Sequence, residues 1–362
     1  MNTQPRLKLV RTTLDEFQKK QLYVYSKEDS ESIHVFLLGS LISDNVESFN
    51  KHLPLIINKS VEVDFEKLEF IDGSGLMAFS VFFGHVIQSG HKINVIHLKG
   101  QPLSLFKYLD IYEICCHQRR RKDKRRYKVI PKLKRFLDIV LSCLVIGICF
   151  IPSLILCALI RLESPGSPIY TQTRLKRHTR SSYLDQPVPD ENDTFKMYKF
   201  RTMFDGAEKN SGAVNASKDD PRVTRIGRFL RKTRLDEIPN FINVLKGEMS
   251  VSGPRADRLE ILRQVKDLFP SVHERSRFIK PGITGPAQIA LKSNGDLPSS
   301  NFELLKHIPE NEIDKETQSF RYKLYYEAGF VIQSFSLKKW FLSEIKTLMK
   351  TLLVMFFKKN VI

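Results

Sequence analysis

Two adjacent carboxylates, Asp236 and Glu237, stand inside a run of positive charge. Arg222, Arg225, Arg228, Arg231, Lys232 and Arg234 precede them, and Arg255 follows in Ser-Gly-Pro-Arg. Phosphate chemistry needs both signs. Guanidinium groups bind phosphate oxygens in a fork, and carboxylates either attack phosphorus or hold a hard cation against it. The same residues also have a plain structural reading. Leu235, Ile238, Ile242 and Leu245 recur at helical spacing, Pro239 is tolerated in a first turn, and Gly247 suits a helix end. Asp236 and Glu237 are then acids at a helix start, where they complement the backbone dipole. Some of the arginines could equally lie on anionic lipid.

The elements that must position this pair are legible from charge and hydropathy. The chain has 362 residues, room for two domains, and a formal charge of +18. Residues 1–116 carry 12 basic and 14 acidic side chains, whereas residues 117–135 carry 11 basic and one acidic. A basic junction therefore separates two parts. From Ile139 to Ile160 no residue is charged, and as a helix this stretch is about 33 Å long, one hydrocarbon thickness. A buried core helix is the alternative reading. A basic run beside such a segment is a membrane-surface signature, which sets aside nucleic acid as a partner.

Pro152 lies inside the apolar segment, and the far flank is also basic, with Arg161, Arg174, Lys176, Arg177 and Arg180 against Glu163. Positive flanks favour the cytoplasmic side. The segment, bounded as 136–160, is therefore expected to enter, bend at Pro152 and return, leaving positions 120 and 178 on one face. The five cysteines, Cys115, Cys116, Cys143, Cys149 and Cys157, have neither a disulfide framework nor metal-ligand spacing. No apolar signal segment opens the sequence, so the first domain is expected in the cytoplasm.

In the first part, residues 33–38, 61–65 and 92–98 read as strands. Residues 42–58, 74–89 and 102–113 read as helices, giving a small α/β layer domain over 1–116. Its stretch VEVDFEKLEFIDGSGLMAFSVFFGHVIQSG and the closing PLSLFKYLDI resemble the STAS domain. In family members used as switches a phosphorylatable serine follows the aspartate; here Gly73 follows Asp72, and Ser74 matches the next position. The resemblance implies a docking or regulatory module without that phosphorylation, able to bind a protein partner and separable from the rest.

After a linker at 117–133, residues 134–362 hold a dense series: KRFLD (134–138), YTQTR (170–174), FKMYKFRTM (195–203), the stretch from Asp219 through SGPR (252–255), and KPGITGPAQI (280–289). Taken in order they resemble the bacterial sugar transferases, the monotopic polyprenyl-phosphate phosphoglycosyl transferases. The resemblance implies an α/β STAS-like domain joined to a mainly α, α+β transferase domain with a re-entrant membrane helix, at the cytoplasmic face of a bacterial inner membrane. It implies transfer of a sugar 1-phosphate from a nucleotide sugar, a UDP-sugar, to polyprenyl phosphate, with Asp236 as the nucleophile and Glu237 holding Mg²⁺. By the same resemblance Arg201, Arg231, Arg255, Lys280 and Gly282 bind phosphate, the alternative for the loop of Lys280 and Gly282 being a tight structural turn, and Asp138 and Pro152 are landmarks of the membrane helix. The alternative is a membrane scaffold whose transferase half has lost activity.

The sequence departs from the family at Ile151, Lys176 and Ala256, where serine, glycine and proline are expected, and in the longer loops 178–193 and 291–320. None of these departures touches the acid pair. At the C-terminus, lysines alternate with bulky apolar residues at helical spacing, which suits a helix lying in the membrane interface, with an ordinary core helix as the alternative.

Overall fold

The computed structural model describes residues 22–53, 57–116, 126–177, 191–207, 220–265, 268–269, 272, 274–291 and 315–357. Positions 120 and 178, most of the basic linker and most of both long loops lie outside them. Element labels run in chain order.

The N-terminal region is an α/β layer built on a mixed sheet in the order β1-β2-β3-β4. Strand β1 (Leu22–Glu28) runs antiparallel to β2 (Ser32–Leu41), while β3 (Ser60–Ile71) and β4 (Ile93–Ile96) continue the sheet in parallel. The period of two in β2 and β3 sends Ile33, Val35, Leu37, Val61, Val63 and Phe65 into the core. Helix α1 (Val46–His52) is shorter than the expected 42–58. Helix α2 (Gly73–Gln88) starts where Asp72 accepts a hydrogen bond from the Gly75 N–H at 2.7 Å, an N-cap. The single helix expected at 102–113 is divided into α3 (Gly100–Tyr108) and α4 (Tyr112–Cys116), because Asp110 between them takes a left-handed φ of 55°.

Helix α5 (Arg126–Glu163) runs for 38 residues with Pro131 and Pro152 inside it. It is the one helix among the described residues long and apolar enough to cross a membrane. Its two ends are fastened to the same protein body. Near the start, Asp138 accepts from the Ser250 hydroxyl and the Val251 N–H, and Arg135 donates to the carbonyls of Val244 and Leu245. At the other end, the Glu163 carboxylate accepts from the backbone N–H groups of Arg225 and Ile226. Between these anchors Leu144, Ile148, Phe150, Ile151, Leu154 and Ile155 are exposed.

The rest of the C-terminal region is mainly helical. A hairpin, β5 (Ile169–Leu175) and β6 (Thr194–Phe200), precedes α6 (Arg225–Thr233) and α7 (Asn240–Lys246). A short parallel pair follows, β7 (Ser250–Ser252) with β8 (Gly282–Thr284), and helices α8 (Leu259–Val265) and α9 (Pro286–Ala290) flank β8 in sequence. Two long helices, α10 (Lys315–Gln333) and α11 (Leu337–Phe357), complete the described chain.

The two regions share a core, which the sequence reading, with its separable first domain, did not foresee. Leu76, Phe79, Phe83 and Val86 of α2 belong to one apolar cluster with Leu324, Ala328, Val331 and Ile332 of α10 and with Leu262, Phe269 and Ile279. Polar contacts seal the seam. Gln333 donates to the Leu109 carbonyl at 2.8 Å, the Tyr108 and Tyr326 hydroxyls meet at 2.8 Å, and Lys339 pairs with Asp110 at 2.6 Å. Helix α2 therefore has the sheet on one side and α10 on the other. Cutting the chain at residue 116 would bare an apolar surface built to be covered.

Candidate active site

The acid pair is presented by a sharp change of direction. Helix α6 is N-capped by Thr224, whose hydroxyl accepts from Gly227 N–H, and it ends at Arg234, which adopts a left-handed φ of 56°. Leu235–Glu237 then form a single 3-10 turn that leads through Pro239 into α7. The expected helix start is thus an isolated turn. Gly247 closes α7 in the left-handed region at φ 83°, as its position suggested.

Strand β6 brings the decisive partner. Lys199 Nζ lies 2.8 Å from Glu237 Oε1 and 4.0 Å from Asp236 Oδ2. Arg255 Nη1 approaches the same Glu237 oxygen at 3.8 Å. The side chains of Asp236, Glu237 and Lys199 are 14, 13 and 15 % exposed, so the cluster is nearly withdrawn from water.

This environment splits the two acids. Burial and the neighbouring Glu237 charge push Asp236 up to about 6, against the opposing pull of Lys199, Arg231 and Arg255. Burial acts on Glu237 in the same sense, but Lys199 and Arg255 overcome it and hold Glu237 well below the usual carboxylate range. Two close carboxylates do not ionise independently, and the one in direct contact with the lysine keeps its charge. Glu237 is thus a fixed anion. Asp236 is a poorly solvated carboxylate with Lys199 only at the longer distance of 4.0 Å.

The loop carrying Arg255 is clamped from both sides. The buried Arg174 guanidinium donates to the Ala256 carbonyl at 3.0 Å, and burial together with Arg255 and Arg258 lowers its pKa to about 9. On the other side Gly282 donates its N–H to the Pro254 carbonyl at 2.8 Å and bridges to Arg255 along the backbone. A Cβ at Gly282 would fall 2.2 Å from Gly253 N, so only glycine permits this approach. Gly282 supports the site through its backbone.

The other expected positions sort differently. Arg231 donates to the Thr202 hydroxyl at 2.9 Å and lies near enough to Asp236 to lower its pKa. Arg201 is buried, and its guanidinium donates to the carbonyls of Ile160, Ser164 and Pro165 at the end of α5. It fastens the end of α5 to β6. Lys280 sits beside Gly247 with Arg135 and Asp138 as electrostatic neighbours, its pKa lowered by burial and then by Arg135. Asp138 anchors α5, as described above, and Pro152 lies in its exposed apolar stretch.

Lys199 is the member that sequence reasoning missed. Its signal was the period of two along β6, which places Lys199 on the strand face of Phe195 and Met197, one step before Arg201.

The chain is similar to known proteins. The family model for bacterial sugar transferases matches residues 129–358. Over 143 residues, 40 % of this chain and 72 % of the other, the chain is 41 % identical to a Bacillus subtilis (strain 168) protein provisionally named an undecaprenyl-phosphate N-acetylgalactosaminyl 1-phosphate transferase. It is 38 % identical over 158 residues to the UDP-N-acetylgalactosamine-undecaprenyl-phosphate N-acetylgalactosaminephosphotransferase of Aeromonas hydrophila, covering 43 % of this chain. It is 39 % identical over 160 residues to the UDP-glucose:undecaprenyl-phosphate glucose-1-phosphate transferase of Escherichia coli (strain K12), again over 43 % of this chain. These matches span only 34 % and 31 % of the Aeromonas and Escherichia proteins. With the family matched over most of its length, the chain belongs to the bacterial sugar transferases.

Proposed function

We propose that this protein transfers a sugar 1-phosphate from a UDP-sugar to undecaprenyl phosphate and so starts a lipid-linked glycan. The observation that carries the reading is the split acid pair: a Lys199-paired Glu237 beside a poorly solvated Asp236.

A buried carboxylate is a stronger nucleophile than a solvated one, because attack relieves its desolvation. An Asp236 oxygen attacks the phosphorus that carries the sugar. The P–O bond of the diphosphate breaks, and its electron pair leaves with uridine monophosphate. The product is a mixed anhydride between the Asp236 carboxyl and the sugar phosphate. An oxygen of undecaprenyl phosphate then attacks the same phosphorus, the Asp236–phosphorus bond breaks, and the carboxylate returns. No net proton is needed in either step. Arg255, half exposed beside the pair, offers its free guanidinium edge to the diphosphate oxygens.

The donor set also fits Mg²⁺. Glu237 is ionised and carries hard oxygen donors, with Asp236 adjacent. Glu237 would hold the ion, which when bound neutralises diphosphate charge that would otherwise repel the nucleophile.

The lipid acceptor calls for a site at the membrane surface. The anchoring of both ends of α5 on one body supports a re-entrant segment with the transferase body on the cytoplasmic face of the inner membrane. The outer face of α11 supports it too, exposing Leu337, Phe341, Ile345 and Met349 beside Lys338 and Lys346. The STAS-like identity of the N-terminal region belongs to this same reading.

The test is transfer itself. Purified protein, Mg²⁺ and radiolabelled undecaprenyl phosphate should yield a sugar diphospholipid with at least one member of a UDP-sugar panel. No product with any donor would defeat the proposal.

A further inference from the structure

The seam between the two regions leads to the active site by a short route. Helix α2 reaches the segment Glu274–Phe278 at two adjacent residues. At Gly84, the ring of Phe278 fills the space of a side chain, so that a Cβ would lie 2.6 Å from Phe278 Cζ. At His85, Nε2 faces Nη1 of Arg277 at 2.9 Å, and the Arg277 guanidinium is itself locked to the buried Glu274 carboxylate. Phe278 also packs edge-on against His85 and against Phe335, which touches Phe83.

Three residues after Phe278 the chain becomes the support of the catalytic loop. The Pro281 carbonyl accepts from Ser250 N–H, Gly282 N–H donates to the Pro254 carbonyl, and Gly253 N–H donates to the Thr284 carbonyl. The fit is tight, since a Cβ at Gly253 would fall 2.3 Å from the Lys280 carbonyl oxygen. Arg255 follows directly and reaches Glu237. A shift of the Phe278 backbone would pass through these close contacts on its way to Arg255.

We propose that Gly84 and Phe278 are positioning residues for transfer, through which the N-terminal α/β region sets the backbone of the Arg255 loop. The region is then a working part of the transferase. The inference rests on the proposed function for its assay and on the packing alone for its route.

The experiment introduces Gly84→Ala in the full chain, alone and with Phe278→Leu, which shortens the ring that the methyl meets. Each is made in both wild-type and Arg255→Lys backgrounds. Thermal unfolding reports folding, and steady-state kinetics report kcat and KM for the UDP-sugar per folded enzyme. Gly84→Ala should lower kcat/KM about tenfold, mainly through KM. Adding Phe278→Leu should restore most of it, and Gly84→Ala should change kcat/KM by less than about twofold once Arg255 is lysine, since residues acting through one another are not additive. A lower melting temperature with unchanged kcat/KM, or a full tenfold loss in the Arg255→Lys background, would overturn the proposal. Should Gly84→Ala fail to fold, Phe278→Leu alone carries the same comparison against Arg255→Lys. Wild-type protein that transfers by a route without covalent intermediate would refute the Asp236 chemistry and leave these kinetic comparisons readable.

Discussion

Replacing Asp236, the proposed nucleophile, should stabilise the protein while ending its activity. In the folded state the Asp236 carboxyl is raised from 3.8 to about 6 by burial and by the Glu237 charge. The folded protein therefore binds this proton more tightly than the unfolded chain does. The stability contributed is complete below about pH 4 and is lost as pH rises through about 6. At pH 8 the ionised carboxylate costs the fold about 3 kcal/mol, from 1.36 kcal/mol for each tenfold change in proton affinity. Asparagine keeps the size and carries no charge, so Asp236→Asn should recover part of this, about 1–3 kcal/mol after screening of the exposed edge. At pH 5, where most folded molecules hold the proton already, the gain should fall to about half. Chemical unfolding of both proteins in detergent at the two pH values measures it. A variant less stable than the wild type at pH 8, or equally stabilised at both pH values, would refute the electrostatic reasoning.

Other consequences follow from the same geometry. Lys199→Met should lower turnover about 100-fold, the scale of losing a preorganised charge, and shift the acid limb of the pH–rate profile upward as Glu237 loses its partner; an unmoved limb counts against the role of Lys199. Glu237→Gln should remain folded but require far more Mg²⁺ for residual activity, and an unchanged Mg²⁺ titration would remove the ion from that carboxylate. Cysteines placed at Lys132 and Lys176, on either side of the apolar segment, should both react with an impermeant thiol reagent from the cytoplasmic side only. Labelling of the two from opposite sides would make α5 a true span.

How far the sequence carried depends on the range of the forces involved. Asp236, Glu237, Arg231 and Arg255 were legible because an acid pair within a basic run is a local pattern, and Gly247 because helix ends impose a local backbone need. Lys199 was legible only as to its strand face, not as to its partner. Its importance arises when the β5–β6 hairpin folds against the 3-10 turn, a through-space contact that no spacing rule encodes. Arg201 shows the reverse case: a basic residue expected at phosphate, whose guanidinium in the fold donates to carbonyls at the end of α5. The N-terminal strands and helices were found in kind but not in extent. Strand β1 went unseen because the apolar part of LYVYSKE gives way after four residues to Ser26, Lys27 and Glu28. The shared core did leave a trace, since GSGLMAFSVFFGHVI offers no polar face. A helix apolar all round must be covered on both sides, and here α10 supplies the second cover.

The covalent step is the centre of the account, and a single-turnover experiment reaches it most directly. Enzyme mixed with Mg²⁺ and a UDP-sugar, without lipid acceptor, should release uridine monophosphate in one burst approaching the enzyme concentration. The protein should gain the mass of a sugar phosphate on the peptide holding Asp236, and later addition of undecaprenyl phosphate should discharge it. Asp236→Asn should show neither burst nor label. An active enzyme that releases no nucleotide until lipid arrives, or an Asp236→Asn protein that turns over near the normal rate, would contradict the claim and leave the acid pair a structural role in its 3-10 turn.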